Sequence, residues 1–130
     1  MDDFSSLETL LLYADADDDA EPGVAPPIHA AVPFSAPSAE AFAELSATPR
    51  HDRFYRRYGS PTQTRLEKVL AAAEGAEAAL ATASGMGAIS TTLLALLSTG
   101  DHVVAQHSMY GGTLNLLKDV APRLGIEGTF

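Results

Sequence analysis

The first clear periodic pattern in the chain lies between Ser60 and Gly75. Four apolar residues recur there at the spacing of one helix face: Leu66, Val69, Leu70 and Ala73. Ser60 is a favourable N-cap, Pro61 suits the first helical position, and Gln63 would complete a capping box with Ser60. Glycine commonly follows the last turn of a helix. The pattern therefore predicts a helix that begins at Pro61 and ends at Gly75.

The chain beyond Gly75 alternates between short apolar runs and further helical patterns. Three runs predict strands: Ala78–Ala83, which should be buried, His102–Gln106 and Ile126–Phe130. Met86–Leu97 predicts a second helix, and because it is apolar on nearly every side it should be buried on every side. Thr113–Leu124 predicts a third helix, with Pro122 disrupting its last turn. This alternation indicates an α/β fold with a parallel sheet.

The first 59 residues lack a sustained periodic pattern. Leucines between residues 7 and 12 are consistent with a short amphipathic turn, and the Asp17–Asp19 run should stay solvated. Prolines then predict an extended arm, whose apolar stretch Ile28–Phe34 should lie against another surface, naturally a second subunit. We therefore expect three segments: a disordered acidic tail over 1–25, an extended arm over 26–59, and the first part of an α/β domain over 60–130.

The net charge of −9 is concentrated at the start of the chain. Residues 1–21 hold eight of the 17 acidic residues and none of the 8 lysines and arginines, so the remainder is nearly neutral. No basic stripe is present, which argues against nucleic-acid binding. The chain has no cysteine, and its 4 histidines show no metal-ligand spacing, so we expect no metal. The acidic N-terminus and the lack of a long apolar run argue against a signal peptide or membrane span, and we expect a cytoplasmic protein.

The run from Phe54 to Thr62 contains a pair suited to binding a phosphate group. Arg57 can present two parallel N–H groups to phosphate, and the Tyr55 hydroxyl can add another donor. Taken alone, the pair is more often a solvated arginine beside a helix start and a tyrosine that fills the core.

The segment Ser84-Gly85-Met86-Gly87 stands at the predicted start of the second helix. Unpaired N–H groups and the positive end of the helix dipole favour an anion there, and glycine lets it approach the backbone. A tight turn packed for steric reasons is the alternative. The spacing half-matches the dinucleotide pattern GxGxxG, but Ser90 replaces the third glycine. Gln106 stands where an acidic ribose partner would be expected.

The segment Tyr110-Gly111-Gly112-Thr113 places an aromatic ring on a loop before the third helix. Such a ring can stack on a planar cofactor, and its hydroxyl can act in acid–base chemistry. An exposed loop aromatic is the alternative. Phosphate contacts together with a stacking ring indicate a planar phosphorylated cofactor.

The order of these motifs resembles the pyridoxal-phosphate-dependent enzymes of cysteine and methionine metabolism. That family includes cystathionine γ-synthase, cystathionine lyases, methionine γ-lyase and O-acetylhomoserine sulfhydrylase. The segments that carry the resemblance are Tyr55–Thr62, Ser84–Ile89, Gly100–His102 and Tyr110–Thr113, and Ala25–Phe34 is similar to the family's N-terminal arm. The resemblance covers the chain from about residue 25 to its end and does not separate the members of the family.

The resemblance implies a fold and a role for each matching residue. The fold is the large domain of a fold-type I pyridoxal-phosphate-dependent transferase, incomplete here and preceded by an extended N-terminal arm. The residues matching Tyr55 and Arg57 reach the cofactor phosphate of a neighbouring subunit. Those matching Gly85 and Met86 bind the phosphate within their own subunit. The residue matching Tyr110 stacks on the cofactor ring and takes part in proton transfer.

The chain also departs from the family pattern. Ser60 stands where asparagine is usual, and Gly87 where alanine is common. Pyridoxal-phosphate chemistry needs a lysine for the Schiff base. Lys68 and Lys118 are predicted on helix exteriors, whereas the family's lysine lies beyond the region that matches. We therefore expect an N-terminal fragment that is inactive alone.

The resemblance further implies a reaction and an assembly. The reaction is β- or γ-elimination or replacement on a sulfur amino acid or an activated homoserine ester. The assembly is a homodimer or homotetramer with the cofactor site shared across the dimer. Two alternatives stay open: a non-catalytic truncated paralogue that binds a full-length subunit, and a nucleotide-binding α/β module.

Overall fold

The structure, a computed structural model, describes residues 6–14, 25–48 and 50–130. It divides into two compact units, with the boundary between Ala81 and Thr82. The predicted solvated run Asp17–Asp19 lies outside the described residues. In the described ranges, no helix combines the length and the apolar character that a membrane crossing requires.

The first unit contains three helices, α1 (Leu7–Tyr13), α2 (Ala39–Ala47) and α3 (Pro61–Glu74). Ser6 and Ser38 begin the first two, where each hydroxyl accepts a hydrogen bond from a backbone N–H three residues on. Helix α1 lies in the segment predicted to be disordered and α2 in the segment predicted to be extended, so both predicted conformations are corrected over these helices. The three segment boundaries stay predictions.

Helix α2 also has an acidic residue placed to suit its positive end. The pKa of Glu40 lies below its ordinary value because its own backbone N–H, and then the Ser38 hydroxyl, stabilise the ionised carboxylate. Helix α2 therefore has both a serine cap and a carboxylate in its first turn.

Helix α3 has the predicted start and end, but the predicted capping box is wrong. Gly75 adopts a left-handed conformation (φ 62°) and closes the helix. The Ser60 hydroxyl, in a residue only 2% exposed, has no hydrogen-bond partner among the described residues. The Gln63 amide instead donates to the Glu67 carboxylate at 2.9 Å and to the Ala81 carbonyl at 3.3 Å.

Residues 29–33 of the arm are held by contacts with residues 55–62. The His29 N–H donates to the Thr62 hydroxyl at 2.9 Å, and the Arg56 N–H donates to the Val32 carbonyl at 2.8 Å. Pro33 forms an isolated antiparallel bridge with Tyr55. These contacts place Tyr55 beside Pro33.

The predicted strand Ala78–Ala83 is absent, and none of its residues is buried. A strand needs a neighbour that pairs with its backbone. Within the described residues no segment lies alongside it as a strand. The Ala81 backbone instead bonds to side chains of α3, with its N–H donating to Glu67 at 2.8 Å.

The second unit contains helix α4 (Gly85–Leu96), strand β1 (His102–Val104), a helical stretch that begins as α5 (Gly111–Asn115), and strand β2 (Glu127–Thr129). The two strands pair in parallel, with Val103 opposite Gly128. The His102 ring and the Thr129 hydroxyl lie 2.9 Å apart and join the strands further. The parallel α/β arrangement predicted from the pattern is confirmed for this pair.

The stretch after α5 changes its hydrogen bonding before it ends. It widens into a π-helix over Leu116–Val120 and tightens into a 3₁₀ helix over Ala121–Leu124. The Ala121 N–H donates to the Leu116 carbonyl, and Pro122 has no N–H to continue the α pattern. Pro122 therefore disrupts the last turn as predicted.

The burial predicted for α4 is wrong. None of its residues is buried, and Leu94 and Leu96 are 59% and 75% exposed. The buried apolar residues of the second unit lie elsewhere: Leu117, Ala121 and Ile126. An all-round apolar sequence predicts burial only where neighbouring elements cover every side, and the described elements of this unit do not.

Candidate cofactor-binding site

The start of α4 presents backbone donors to open space. The Ser84 hydroxyl accepts from the Gly87 N–H at 3.0 Å, and the Ser84 carbonyl accepts from the Ala88 N–H at 3.0 Å. Among the described residues, the N–H groups of Gly85 and Met86 have no partner. A Cβ built on Gly85 would meet no described atom within 4 Å. The helix start therefore offers two free donors on an accessible face.

The two glycines of this segment have different roles. A Cβ on Gly87 would lie 3.2 Å from the Ser84 hydroxyl oxygen and 3.6 Å from the Thr82 Cβ. The absence of a side chain at Gly87 thus leaves room for the cap. The alternative of a glycine required for steric reasons therefore applies to Gly87, whereas the open space at Gly85 suits the approach of an anion.

The electrostatic setting of α4 also suits an anion. Its first turn contains no acidic residue, and its 12 residues carry no charged side chain. The helix dipole places about half a positive charge at the N-terminus, close to Gly85. Nothing within the helix offsets that charge.

Tyr110 lies at the N-cap position of α5, with its side chain 71% exposed. Its carbonyl accepts from the N–H groups of Thr113 and Leu114 at 3.0 and 3.1 Å. Gly111 and Gly112 are the first residues of the helix, which corrects the sequence interpretation of a loop that continues past the ring. The backbone that carries Tyr110 is therefore fixed by a helix start.

Met86 and Tyr110 meet around Gly112. A Cβ on Gly112 would lie 2.6 Å from the Tyr110 Cε1 atom and 3.0 Å from the Met86 sulfur. The Thr113 hydroxyl donates to the same sulfur at 3.9 Å. The side chain of Met86, whose backbone N–H is one of the two free donors, thus meets the exposed Tyr110 ring at Gly112.

The Tyr55 and Arg57 pair lies in the first unit. Tyr55 is half-buried beside Pro33, and Arg57 is exposed. The Arg57 guanidinium carbon lies over the Tyr55 ring, 5.0 Å from its centroid, and 5.6 Å from that of Tyr58. Within the described part of the chain Arg57 makes no ion pair, so its charge is available to an anion.

Sequence reasoning assigned no role to Tyr58, Gly112 or Thr113. The signal for Tyr58 was present, because a tyrosine stands on each side of Arg57 within three residues. The packing at Gly112 had no sequence signal, since it depends on the approach of Met86 from another helix. Among the described residues, no group of three His, Asp or Glu side chains could hold a metal ion. Lys68 and Lys118 are exposed.

Comparison with known proteins identifies relatives along almost the whole chain. Residues 8–130 match the family model described as Cys/Met metabolism PLP-dependent enzyme. L-methionine γ-lyase of Fusobacterium nucleatum subsp. polymorphum is 46% identical over 107 residues, which cover 82% of this chain and 27% of that protein. Cystathionine β-lyase MetC of Bacillus subtilis is 42% identical over 126 residues, 96% of this chain and 30% of that protein.

Two solved structures share the fold. The crystal structure of metB from Corynebacterium glutamicum has a TM-score of 0.82 and 32% identity over 96% of this chain and 31% of its own. That of metY from Campylobacter jejuni, named as an O-acetylhomoserine (thiol)-lyase and containing N'-pyridoxyl-lysine-5'-monophosphate, has a TM-score of 0.83 and 29% identity over 95% of this chain and 30% of its own. This chain spans about a third of the length of these proteins. The resemblance, the fold-type I assignment and the family's use of pyridoxal phosphate are confirmed, and the chain belongs to the Cys/Met metabolism PLP-dependent enzyme family.

Proposed function

We propose that this chain forms the first part of a pyridoxal-phosphate enzyme that performs elimination or replacement on sulfur amino acids or activated homoserine esters. One observation carries the proposal: the open start of α4 has two free N–H groups, and one of them belongs to Met86, whose side chain meets the exposed Tyr110 ring at Gly112. The named relatives, which include a methionine γ-lyase and a cystathionine β-lyase, support this substrate class.

The residues present fit the phosphate and ring of pyridoxal phosphate. The Gly85 and Met86 N–H groups can each donate to a phosphate oxygen, and the dipole of α4 favours its negative charge. The exposed Tyr110 ring can stack on a flat heteroaromatic ring, and its hydroxyl can hold a proton beside the substrate. When bound, the cofactor supplies an electron sink that stabilises negative charge developing on the substrate.

The same site would include residues of a second subunit. Arg57 is exposed, lies over two aromatic rings and makes no ion pair with the described residues, so its guanidinium N–H groups can serve an external phosphate. Tyr55 is held by its bridge to Pro33, which fixes the backbone that carries its hydroxyl. We assign both side chains to the phosphate of a neighbouring subunit in a homodimer or homotetramer.

Binding of pyridoxal phosphate to the chain tests the proposal. Gly85→Asp adds a negative charge at the helix start, which suits the helix dipole but opposes phosphate, and the open space accepts the side chain. We expect saturable binding of pyridoxal phosphate to the unmodified chain, and a loss of about tenfold or more in G85D, since one charge-assisted contact contributes ~1.5–3 kcal/mol. Absorbance and fluorescence titration give both affinities.

Thr91→Asp is the matched control. It adds the same charge to an exposed position of α4, six residues or about 9 Å further along the axis. We expect T91D to bind like the unmodified chain, and pyridoxal without its phosphate to bind more weakly than the phosphorylated form. Equal affinity for pyridoxal would contradict the phosphate site. Tighter binding of NAD than of pyridoxal phosphate would support the nucleotide-binding alternative instead.

A further inference from the structure

Four aromatic rings form a continuous row in the first unit. The rings of Phe42, on α2, and Phe54 lie 5.3 Å apart between centroids. Phe54 and Tyr58 stack at 6.0 Å with 24° between their planes, and Tyr58 meets Tyr55 edge-on at 6.4 Å. The row therefore connects α2 to Tyr55, which is bridged to Pro33.

Arg57 lies against the end of this row. Its guanidinium carbon is 5.0 Å from the Tyr55 centroid and 5.6 Å from the Tyr58 centroid, both within the range of cation–π attraction. A tight turn keeps the two rings on the same side, because the Tyr58 N–H donates to the Tyr55 carbonyl at 2.8 Å. Within the described residues, ring contacts rather than ion pairs hold this side chain.

We propose that Tyr58 is a positioning residue that holds the Arg57 guanidinium ready to bind phosphate. The expected effect on phosphate binding rests on the proposed function, whereas the contacts between Tyr58 and Arg57 lie within the first unit. Ring contacts use the face of a guanidinium, whereas hydrogen bonds to phosphate use the N–H groups in its plane. Both can therefore be made together. Fixing the side chain in advance reduces the conformational entropy that binding would otherwise remove.

Tyr58 is better suited to this role than an isolated surface ring. It is 47% exposed, and its ring also stacks on the Phe54 ring, which packs in turn against Phe42 of α2. The contact between the Tyr58 ring and the Arg57 guanidinium, which we call the clamp, is thereby anchored to a helix rather than to a loop. Tyr55 differs, since its hydroxyl is itself assigned to phosphate.

Two measurements on the full chain test the inference. In Tyr58→Leu we expect the NMR signals of the Arg57 Cδ protons to lose their ring-current shift, and the affinity for pyridoxal phosphate to fall roughly two- to fivefold. Tyr58→Phe keeps the ring and should retain both properties. Tyr13→Leu is the matched control, because Tyr13 is 56% exposed and makes no ring contact among the described residues. It should change neither measurement.

The outcomes separate the inference from the proposed function. Arg57→Ala should weaken binding, and adding Y58L to R57A should weaken it no further, because the clamp acts only through the arginine. If R57A binds normally, the phosphate role of Arg57 is wrong, and the NMR shifts still decide whether the clamp exists. If R57A binds pyridoxal phosphate weakly but Y58L binds it normally, the positioning role of Tyr58 is wrong. A Y58F variant as weak as Y58L would contradict a role for the ring, and Tyr58→Met repeats the test should Y58L fail to fold.

Discussion

Gly112 shows how one residue can control the position of a functional side chain. A Cβ there would lie 2.6 Å from the Tyr110 ring, closer than real Cβ atoms approach other atoms, and at a tight 3.0 Å from the Met86 sulfur. The backbone at Gly112 is helical, so glycine is not needed for its conformation. Its absent side chain instead lets the ring and the thioether meet above the start of α5.

Gly112→Ala should therefore separate stability from binding. Alanine favours a helical backbone over glycine by up to about 1 kcal/mol, so the melting temperature should stay level or rise. The added methyl group displaces the Tyr110 ring, and affinity for pyridoxal phosphate should fall roughly two- to tenfold, the range of one aromatic pair. Gly111→Ala is the control, because a Cβ there meets no described atom within 4 Å. Equal binding by both variants would show that the ring position does not matter.

At the scale of elements, local signals in the sequence predicted the helix ends well. Pro61, Gly75 and Pro122 each act through their own backbone, so their effects could be predicted without knowledge of the fold. The prediction of a capping box was wrong because the Gln63 amide donates instead to the carboxylate of Glu67, four residues further on. That competing i,i+4 pair was visible in the sequence.

Elements that depend on distant partners could not be predicted in this way. The strand over Ala78–Ala83 needed a paired neighbour, and the burial of α4 needed cover on every side, which local pattern cannot supply. For the site, the chain order of motifs indicated Tyr55, Arg57, Gly85, Met86 and Tyr110. The meeting of Met86 with Tyr110 at Gly112 depends on how two helices pack, and it emerged only from the structure.

The turn at Gly125 joins the 3₁₀ segment to β2, and a substitution there tests how tightly this turn is packed. Gly125 has φ 74°, and a Cβ there would lie 2.6 Å from the Thr99 Cγ2 atom. Gly125→Ala should lower the free energy of unfolding by about 2–4 kcal/mol, from backbone strain plus the steric contact. Urea unfolding, followed by circular dichroism in the near and far ultraviolet, measures this loss of stability.

The steric part of that loss can be removed separately. Thr99→Ser deletes Cγ2 but keeps the hydroxyl that donates to the Leu124 carbonyl at 2.9 Å. In the G125A background it should recover the steric share and leave about 1 kcal/mol of backbone strain. No recovery would mean that the contact with Thr99 does not limit this turn.

At the scale of the whole molecule, the candidate groups are divided between two compact units. Tyr55 and Arg57 lie in the first, whereas Gly85, Met86 and Tyr110 lie in the second. In the assembly we propose, each cofactor site takes the first pair from one subunit and the second group from its neighbour. This arrangement predicts that two different defective chains can complement each other, which a site built within one chain cannot do.

Mixing Arg57→Ala with Gly85→Asp chains tests this directly. After joint refolding, half of the dimers should be mixed, and each mixed dimer has one intact site and one site with both defects. Tight binding of pyridoxal phosphate should therefore return at roughly a quarter of the unmodified site number, where each variant alone shows almost none. Mixing R57A with Tyr55→Phe should restore no intact site, since both defects lie on the same side. Absence of recovery in the first mixture, with each variant folded, would place both residues in the site of a single chain.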